Sequence, residues 1–147
     1  CKKANEVGKK CAEHGMKFTY HNHSFEFVKI KDGKTLMDYL IEGFSDNISF
    51  VLDTYWVQHG GGDVRFWIEK LAGRIDILHL KDMALSPKDE LYRLTEVGYG
   101  NIAFDPIMKA AEETGVKYYV VEQDSNFTQN ALNSLRMSAE FLKQFRV

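Results

Sequence analysis

The sequence is short of the features that would make its class obvious. It has only two cysteines, Cys1 and Cys11, in 147 residues. Both fall in one helix-like segment, about 15 Å apart along a helix axis, which is too far for a bridge. Both are read as thiols, and neither decides the redox compartment. No apolar run approaches a membrane span, and no secretory leader is visible. Charge of neither sign dominates: 19 Lys plus Arg face 21 Asp plus Glu, for a formal net charge of −2. No basic run exceeds a few residues, which argues against nucleic acid as a partner. No linker, low-complexity segment or shift of composition divides the chain.

What is present is enough for a core. Hydrophobic residues make up 44% and aromatics 13%, so the chain is read as a single domain over residues 1–147 rather than a disordered segment. It begins with Cys1, not methionine, and inside a helix-like stretch. The expectation is therefore that the numbered chain starts partway through a longer natural protein. Any targeting signal would lie upstream, and the cytoplasm is the favoured location.

Helical and strand patterns alternate. KKANEVGKKCAEH reads as a helix closed by Gly15, and MKFTYHNH as a strand. A polar loop around Lys31–Lys34 precedes TLMDYLIEGF, which is apolar at helical spacing. ISFVLDT is a buried strand. Asp63 is placed to cap a helix that stops at Gly73, and RIDILHLKD is the third strand. Met83 to Ala103 reads as irregular. In FDPIMKAAEETG, Asp105 is the expected cap and Pro106 the first helical residue. VKYYVVEQD is the fourth strand and TQNALNSLRMSAEFLKQF the last helix. The fold class is α/β, with four parallel strands alternating with helices. Even spacing fits part of a barrel, and an open sheet almost as well.

Each apolar strand ends in ionisable residues: YHNH, VLDT, LHLKD and VVEQD. Ligand sites in parallel α/β proteins lie at the carboxyl ends of the strands. His21, Asp53, His79 and Glu122 are thus offered to one mouth, and histidine with carboxylate suits Mn²⁺, Zn²⁺ or Co²⁺. A polar residue ending one strand is ordinarily just the start of a loop, and a lone His79 would be a hydrogen-bonded core group. Four such ends in register argue for a site. Lys81 follows His79 by two and shares its strand face if the strand continues. It can hold a substrate oxyanion or phosphate, or protonate an enolate; it can equally be a solvated strand-end lysine. Asp82 is a candidate to orient Lys81 or His79. Trp56 can stack on a sugar or cover the rim. VGYGN reads as a turn into the next helix, not as a phosphate loop.

Taken together, YHNHSFEF, LDTYWV, GRIDILHLKDM, VGYGNIAF and YYVVEQD resemble the xylose-isomerase-like TIM barrels, the sugar phosphate isomerase/epimerase superfamily. The resemblance spans nearly the whole chain and implies half of a (β/α)8 TIM barrel, strands five to eight. It implies a divalent metal (Mn, Zn, Co or Mg) held by glutamate, aspartate, histidine and glutamate. Carried over, these are Asp53, His79 and Glu122, with the first ligand in question. Where many members read Glu-Asn-His, this chain reads His21-Asn22-His23. Position favours His21, while charge favours Glu26, because carboxylates suit Mn²⁺ or Mg²⁺. His23 is expected further out as a substrate contact, alongside Trp56 and Lys81. The implied chemistry is proton transfer next to a carbonyl through an enediolate, with Glu122 and Glu26 or a group upstream moving the proton.

The expected function is thus a metal-dependent sugar (phosphate) isomerase or epimerase with a small carbohydrate substrate. A dehydratase or metal-dependent endonuclease branch of the same fold stands beside it. Only five histidines and a slight acidic balance weigh against the endonuclease. A third expectation is a non-catalytic half-barrel that pairs with a second copy, since a half-barrel leaves two strand edges unpaired.

Overall fold

The computed structural model describes residues 1–145. In chain order the elements are α1 (Lys2–Glu13), β1 (Phe18–His21), a 3-10 turn (Phe25–Phe27), β2 (Lys29–Lys31), β3 (Lys34–Thr35), α2 (Leu36–Gly43) and β4 (Ile48–Asp53). Then come α3 (Thr54–His59), α4 (Val64–Lys70), β5 (Ile75–Leu80), β6 (Asp82–Leu85), β7 (Tyr92–Thr95), α5 (Phe104–Thr114), β8 (Tyr118–Val121) and α6 (Ala131–Leu142). β1, β4, β5 and β8 form one sheet in that order, every pair parallel. Four parallel strands alternating with helices are the α/β half-barrel expected.

One face of the sheet carries the core. Phe50, Leu52, Leu78 and Leu80 are wholly buried there, with Met37, Ile68, Leu71 and Ala111 from the helices. β4 is buried along its entire length, as a central parallel strand must be. α1 approaches β4 through Gly8, where an added Cβ would stand 2.9 Å from Ile48 Cγ1. The other face is concave and polar at both ends. On β8 that face is open, with Tyr118 63% and Val120 42% exposed. A bulge in β5 leaves Asp76 as an extra residue against β4. Its carboxylate lies 2.5 Å from Lys17 and 2.9 Å from Lys117 at the amino end of the sheet.

Three expectations need correction. The polar loop around Lys31–Lys34 is a small hairpin, β2–β3, turned by Asp32 and Gly33, both at positive φ; Asp-Gly is the favoured pair for such a turn. The stretch from Met83 to Ala103 is not irregular throughout, because β6 and β7 pair antiparallel. It lacks a long apolar alternation, so its pairing is invisible to periodicity. α5 starts at Phe104 with Ala103 as its cap. Phe104 is buried at 3% exposure, and that packing starts the helix before Asp105. Pro106 then falls in the first turn, where amides have no helical acceptor and a missing N–H costs nothing.

Two buried carboxylates organise the loops. Asp82 accepts the amides of Met83, Gly98, Gly100 and Ile102 at 2.7, 2.9, 2.9 and 3.2 Å. It is the hub of the VGYGN turn rather than a partner of His79 or Lys81. Gly100 is required there, since a Cβ would stand 2.4 Å from Asp82 Oδ1. Glu96 accepts the Ser134 hydroxyl at 2.6 Å and the Thr128 amide at 3.0 Å, fastening the start of α6.

Asp82→Ala leaves four amides without their acceptor and is expected to cost on the order of 3 kcal/mol in urea unfolding; a loss under roughly 1 kcal/mol would contradict its role as hub. Burial pushes the Asp76 and Glu96 carboxyls up. Lys17 and Lys117 around Asp76, and Ser134 and Thr128 around Glu96, outweigh it and hold each at about 2. Their unfolded values lie near 4, so the unfolded chain binds more protons between about pH 5 and pH 2. Stability should therefore fall as pH drops through that window, and Glu96→Gln should flatten part of the fall. An unfolding midpoint that ignores pH there would contradict both assignments.

Candidate metal centre

The sheet's parallel register brings the strand ends together. His21 sits opposite Val51, Asp53 opposite His79, and His79 opposite Val120. Strand alternation sends His21, Asp53 and His79 to the concave face. Glu122 lies two residues beyond Val120 on the same face, and its amide donates to the Leu80 carbonyl at 3.2 Å, extending the ladder.

Asp53 is the pivot of the cluster. It is wholly buried. Its Oδ1 accepts the Trp56 amide at 3.0 Å and caps α3. Its Oδ2 faces His21 Nε2 at 3.2 Å and His79 Nδ1 at 3.8 Å. The Asp53 amide donates to Asn22 Oδ1 at 3.0 Å. Burial pushes the Asp53 carboxyl up, but His21, His79, the Trp56 amide and the Lys81 charge outweigh it and hold it below the usual range. It is therefore an anion in a dry place.

His79 Nδ1 stands 2.5 Å from Glu122 Oε2, yet off the line of a hydrogen bond, so this buried nitrogen has no directed partner. One ligand atom from each of His21, Asp53, His79 and Glu122 lies within 4.8 Å of the others. Two imidazoles and two carboxylates brought this close are a donor set able to hold a divalent cation. The same donor set favours Mn²⁺, Zn²⁺ or Co²⁺ over Mg²⁺, which prefers oxygen ligands.

Glu26, the rival first ligand and expected proton mover, is not brought to this cluster. It is wholly buried under the 3-10 turn. Its Oε1 accepts the Tyr20 hydroxyl at 2.6 Å and its Oε2 the His23 amide at 2.9 Å. Both oxygens hold the turn after β1. The structure thus places His21 beside Asp53, His79 and Glu122, and Glu26 in support of the loop that carries His23.

Lys81 is nearly wholly buried at the mouth. Its Nζ donates to Glu122 Oε1 at 3.0 Å and to Asp124 Oδ2 at 2.5 Å, and stands 5.5 Å from the Trp56 ring centre. Burial pulls the ammonium's pKa down, but Asp124 and Glu122 more than restore it, so Lys81 is charged. The Thr54 hydroxyl accepts the Lys81 amide at 3.0 Å and faces the carbonyls of Lys81 and His79. His23 is exposed and its ring lies 5.2 Å from that of Trp56. Asp124, Asn22 and Thr54 were not singled out as site residues. Asp124 was legible, as the second acid of VVEQD on the face of Glu122; Asn22 and Thr54 act through backbone contacts that a sequence does not show. A cleft of about 480 Å³ between α4 and α5, lined by Gln58, Val64, Ile102 and Pro106, holds none of these groups.

The family model described as xylose isomerase-like TIM barrel matches residues 1–145. An inosose dehydratase of Clostridium perfringens is 27% identical over 137 residues, covering 82% of this chain and 45% of that protein. An inosose dehydratase of Mesomycoplasma hyopneumoniae is 30% identical over 88 residues, covering 59% of this chain and 28% of that protein. A sugar phosphate isomerase/epimerase of Parabacteroides distasonis superposes with a TM-score of 0.79 at 25% identity, over 97% of this chain and 50% of that one. An L-ribulose 3-epimerase superposes at 0.70 with 18% identity, over 96% and 52%, a likeness of fold. The chain spans about half or less of the length of these proteins.

Glu26→Gln separates the loop from the cluster. It removes an acceptor of the Tyr20 hydroxyl or the His23 amide and is expected to cost about 1–3 kcal/mol of stability, while Mn²⁺ affinity stays within about threefold of the parent (under 1 kcal/mol). A hundredfold loss of affinity in a folded variant would make Glu26 a ligand.

Proposed function

The chain belongs to the xylose isomerase-like TIM barrel family, and from that membership we propose that it is the metal-holding half of a sugar isomerase or epimerase. In this reading its strands are the fifth to eighth of the barrel. The substrate is a small polyhydroxylated carbonyl compound. The observation that carries the reading is the convergence of His21, Asp53, His79 and Glu122 at the carboxyl ends of four parallel strands.

A bound divalent cation would polarise a substrate carbonyl and its neighbouring hydroxyl, making the adjacent carbon acid. The chain's own groups do the rest. Asp53, fixed by Trp56 and Asn22, holds the charge of the centre in place. Glu122 is the carboxylate nearest the open concave face, and its Oε1 takes the proton. Lys81 beside it donates to the substrate oxygen that gains charge, with Asp124 keeping its ammonium aimed at Glu122. Trp56 and His23 cover one side of the substrate.

His21 stands where a second carboxylate would complete a pair of bases on opposite faces. One carboxylate on one face suits isomerisation, in which a single base moves the proton between neighbouring carbons, better than two-base epimerisation. Dehydration begins with the same proton abstraction. It is the second reading, favoured by the inosose dehydratases at 27% and 30% identity. The endonuclease branch gains nothing from the cluster, which comprises one set of four ligands among the described residues.

Two measurements test this. Mn²⁺ titration should give one site per chain, weakened about a hundredfold or more by Asp53→Ala and by His79→Ala (roughly 3 kcal/mol each). Undiminished binding in both variants would sink the metal assignment. Incubation of the metal-loaded protein with ketoses and inososes in D₂O should place deuterium on the carbon beside the carbonyl. Glu122→Gln should slow that exchange by about 10³-fold or more. Exchange that survives the substitution would remove Glu122 as the base.

A further inference from the structure

The hydrogen-bond ladder of the sheet runs further than its backbone alone can take it. β4 and β5 pair as far as Asp53 opposite His79. At Thr54 the chain turns into α3, and β4 has no more strand backbone to offer. β5 goes on. Its Leu80 carbonyl accepts the Glu122 amide on the β8 side. The His79 carbonyl and the Lys81 amide turn the other way, toward the end of β4, where the Thr54 side chain meets them. The hydroxyl oxygen accepts the Lys81 amide at 3.0 Å. It lies 2.8 Å from the Lys81 carbonyl and 3.1 Å from that of His79. Its one proton serves one of those carbonyls at a time.

Lys81 is the residue that needs this support. It stands alone between β5 and β6, where the chain leaves the parallel sheet for the β6–β7 hairpin. At 1% exposure its amide must find a partner inside the protein. Alternation keeps its side chain on the face of His79 only while the chain stays extended through Leu80. From that face Nζ reaches Glu122 Oε1 at 3.0 Å and Asp124 Oδ2 at 2.5 Å. Thr54 itself is wholly buried. Valine would fill the same space, and what it lacks is the hydroxyl. Threonine at this position therefore supplies bonds rather than volume.

We propose that Thr54 is the positioning residue of Lys81: its hydroxyl carries the β4–β5 ladder past His79 and thereby aims the Lys81 ammonium at Glu122 and at the substrate oxygen beside it. The effect on turnover rests on the function proposed above, while the aiming of Lys81 does not. Thr54 touches no reacting atom. His79 is already held opposite Asp53 by the backbone ladder. Loss of the hydroxyl should thus reach turnover through Lys81 and leave the metal centre as it is.

The test compares Thr54→Val, which removes the hydroxyl, with Thr54→Ser, which keeps it. The first readout needs no substrate. In NMR of the chain carrying nitrogen-labelled lysine, an ammonium buried between two carboxylates should give a side-chain signal with slowly exchanging protons, assigned by its absence in Lys81→Met. That signal should persist in Thr54→Ser and shift or vanish in Thr54→Val. Mn²⁺ affinity should stay within about threefold in both Thr54 variants (under 1 kcal/mol). The second readout is deuterium exchange on the substrate. Thr54→Val should lower kcat about tenfold or more with KM within about twofold, and Thr54→Ser should keep kcat within about twofold of the parent. An unchanged Lys81 signal in folded Thr54→Val, or its loss in Thr54→Ser, would overturn the proposal. So would a hundredfold fall of Mn²⁺ affinity in Thr54→Val, because the hydroxyl would then act through His79. Fast exchange of the Lys81 backbone amide in the parent would overturn it even if Thr54→Val does not fold. A parent that exchanges deuterium into no ketose or inosose would tell against the isomerase reading instead, and the ammonium signal would still decide the role of Thr54.

Discussion

The site depends on the way a buried Asp53 is tied at the end of β4. An isolated carboxylate with no solvent exposure is expensive, and only partners make it tolerable. Here they arrive from every side. The Trp56 amide fixes one oxygen and begins α3, His21 and His79 face the other, and Asn22 holds the Asp53 amide from the neighbouring strand. The same carboxylate thus ends a strand, starts a helix and anchors two imidazoles. Any shift of the β1–β4–β5 register would break this arrangement, so the parallel sheet and the cluster specify each other.

Charge explains the composition of the mouth. With neutral imidazoles the four convergent groups carry two negative charges, which one divalent cation would balance. Lys81 and Asp124 then cancel each other beside it. Among the groups described around the cluster, no cation is left without an acid partner. His21 contributes to that balance. A glutamate in its place would leave the loaded centre negative and weaken its pull on a substrate carbonyl. Glu26 could not take the place without abandoning Tyr20 and His23, which it holds in a position of no exposure.

Much of this was legible in the sequence, for identifiable reasons. Parallel strands read as apolar runs, and polar residues at their ends stand out, which is why Asp53, His79 and Glu122 could be picked out as candidates that the structure then brings close together. The different placement of His21 and Glu26 was not legible, because it comes from a 3-10 turn that buries Glu26 within hydrogen-bonding distance of Tyr20. Asp82 and Glu96 were misjudged or passed over. Each binds backbone amides far along the chain, and such partners leave no local pattern. The two short hairpins were hidden for a related reason: strands of two to four residues carry too little alternation, although Asp32-Gly33 was a readable turn signal. Asp105 and Pro106 made a persuasive helix start that the packing of Phe104 overrode.

The central claim is that His21, and not Glu26, completes the metal set. X-ray absorption at the Mn edge of the loaded protein counts imidazoles among the ligands directly. The account predicts two imidazoles in the parent chain, one in His21→Ala and two in Glu26→Gln. One imidazole in the parent, or a count that His21→Ala leaves unchanged, would contradict it.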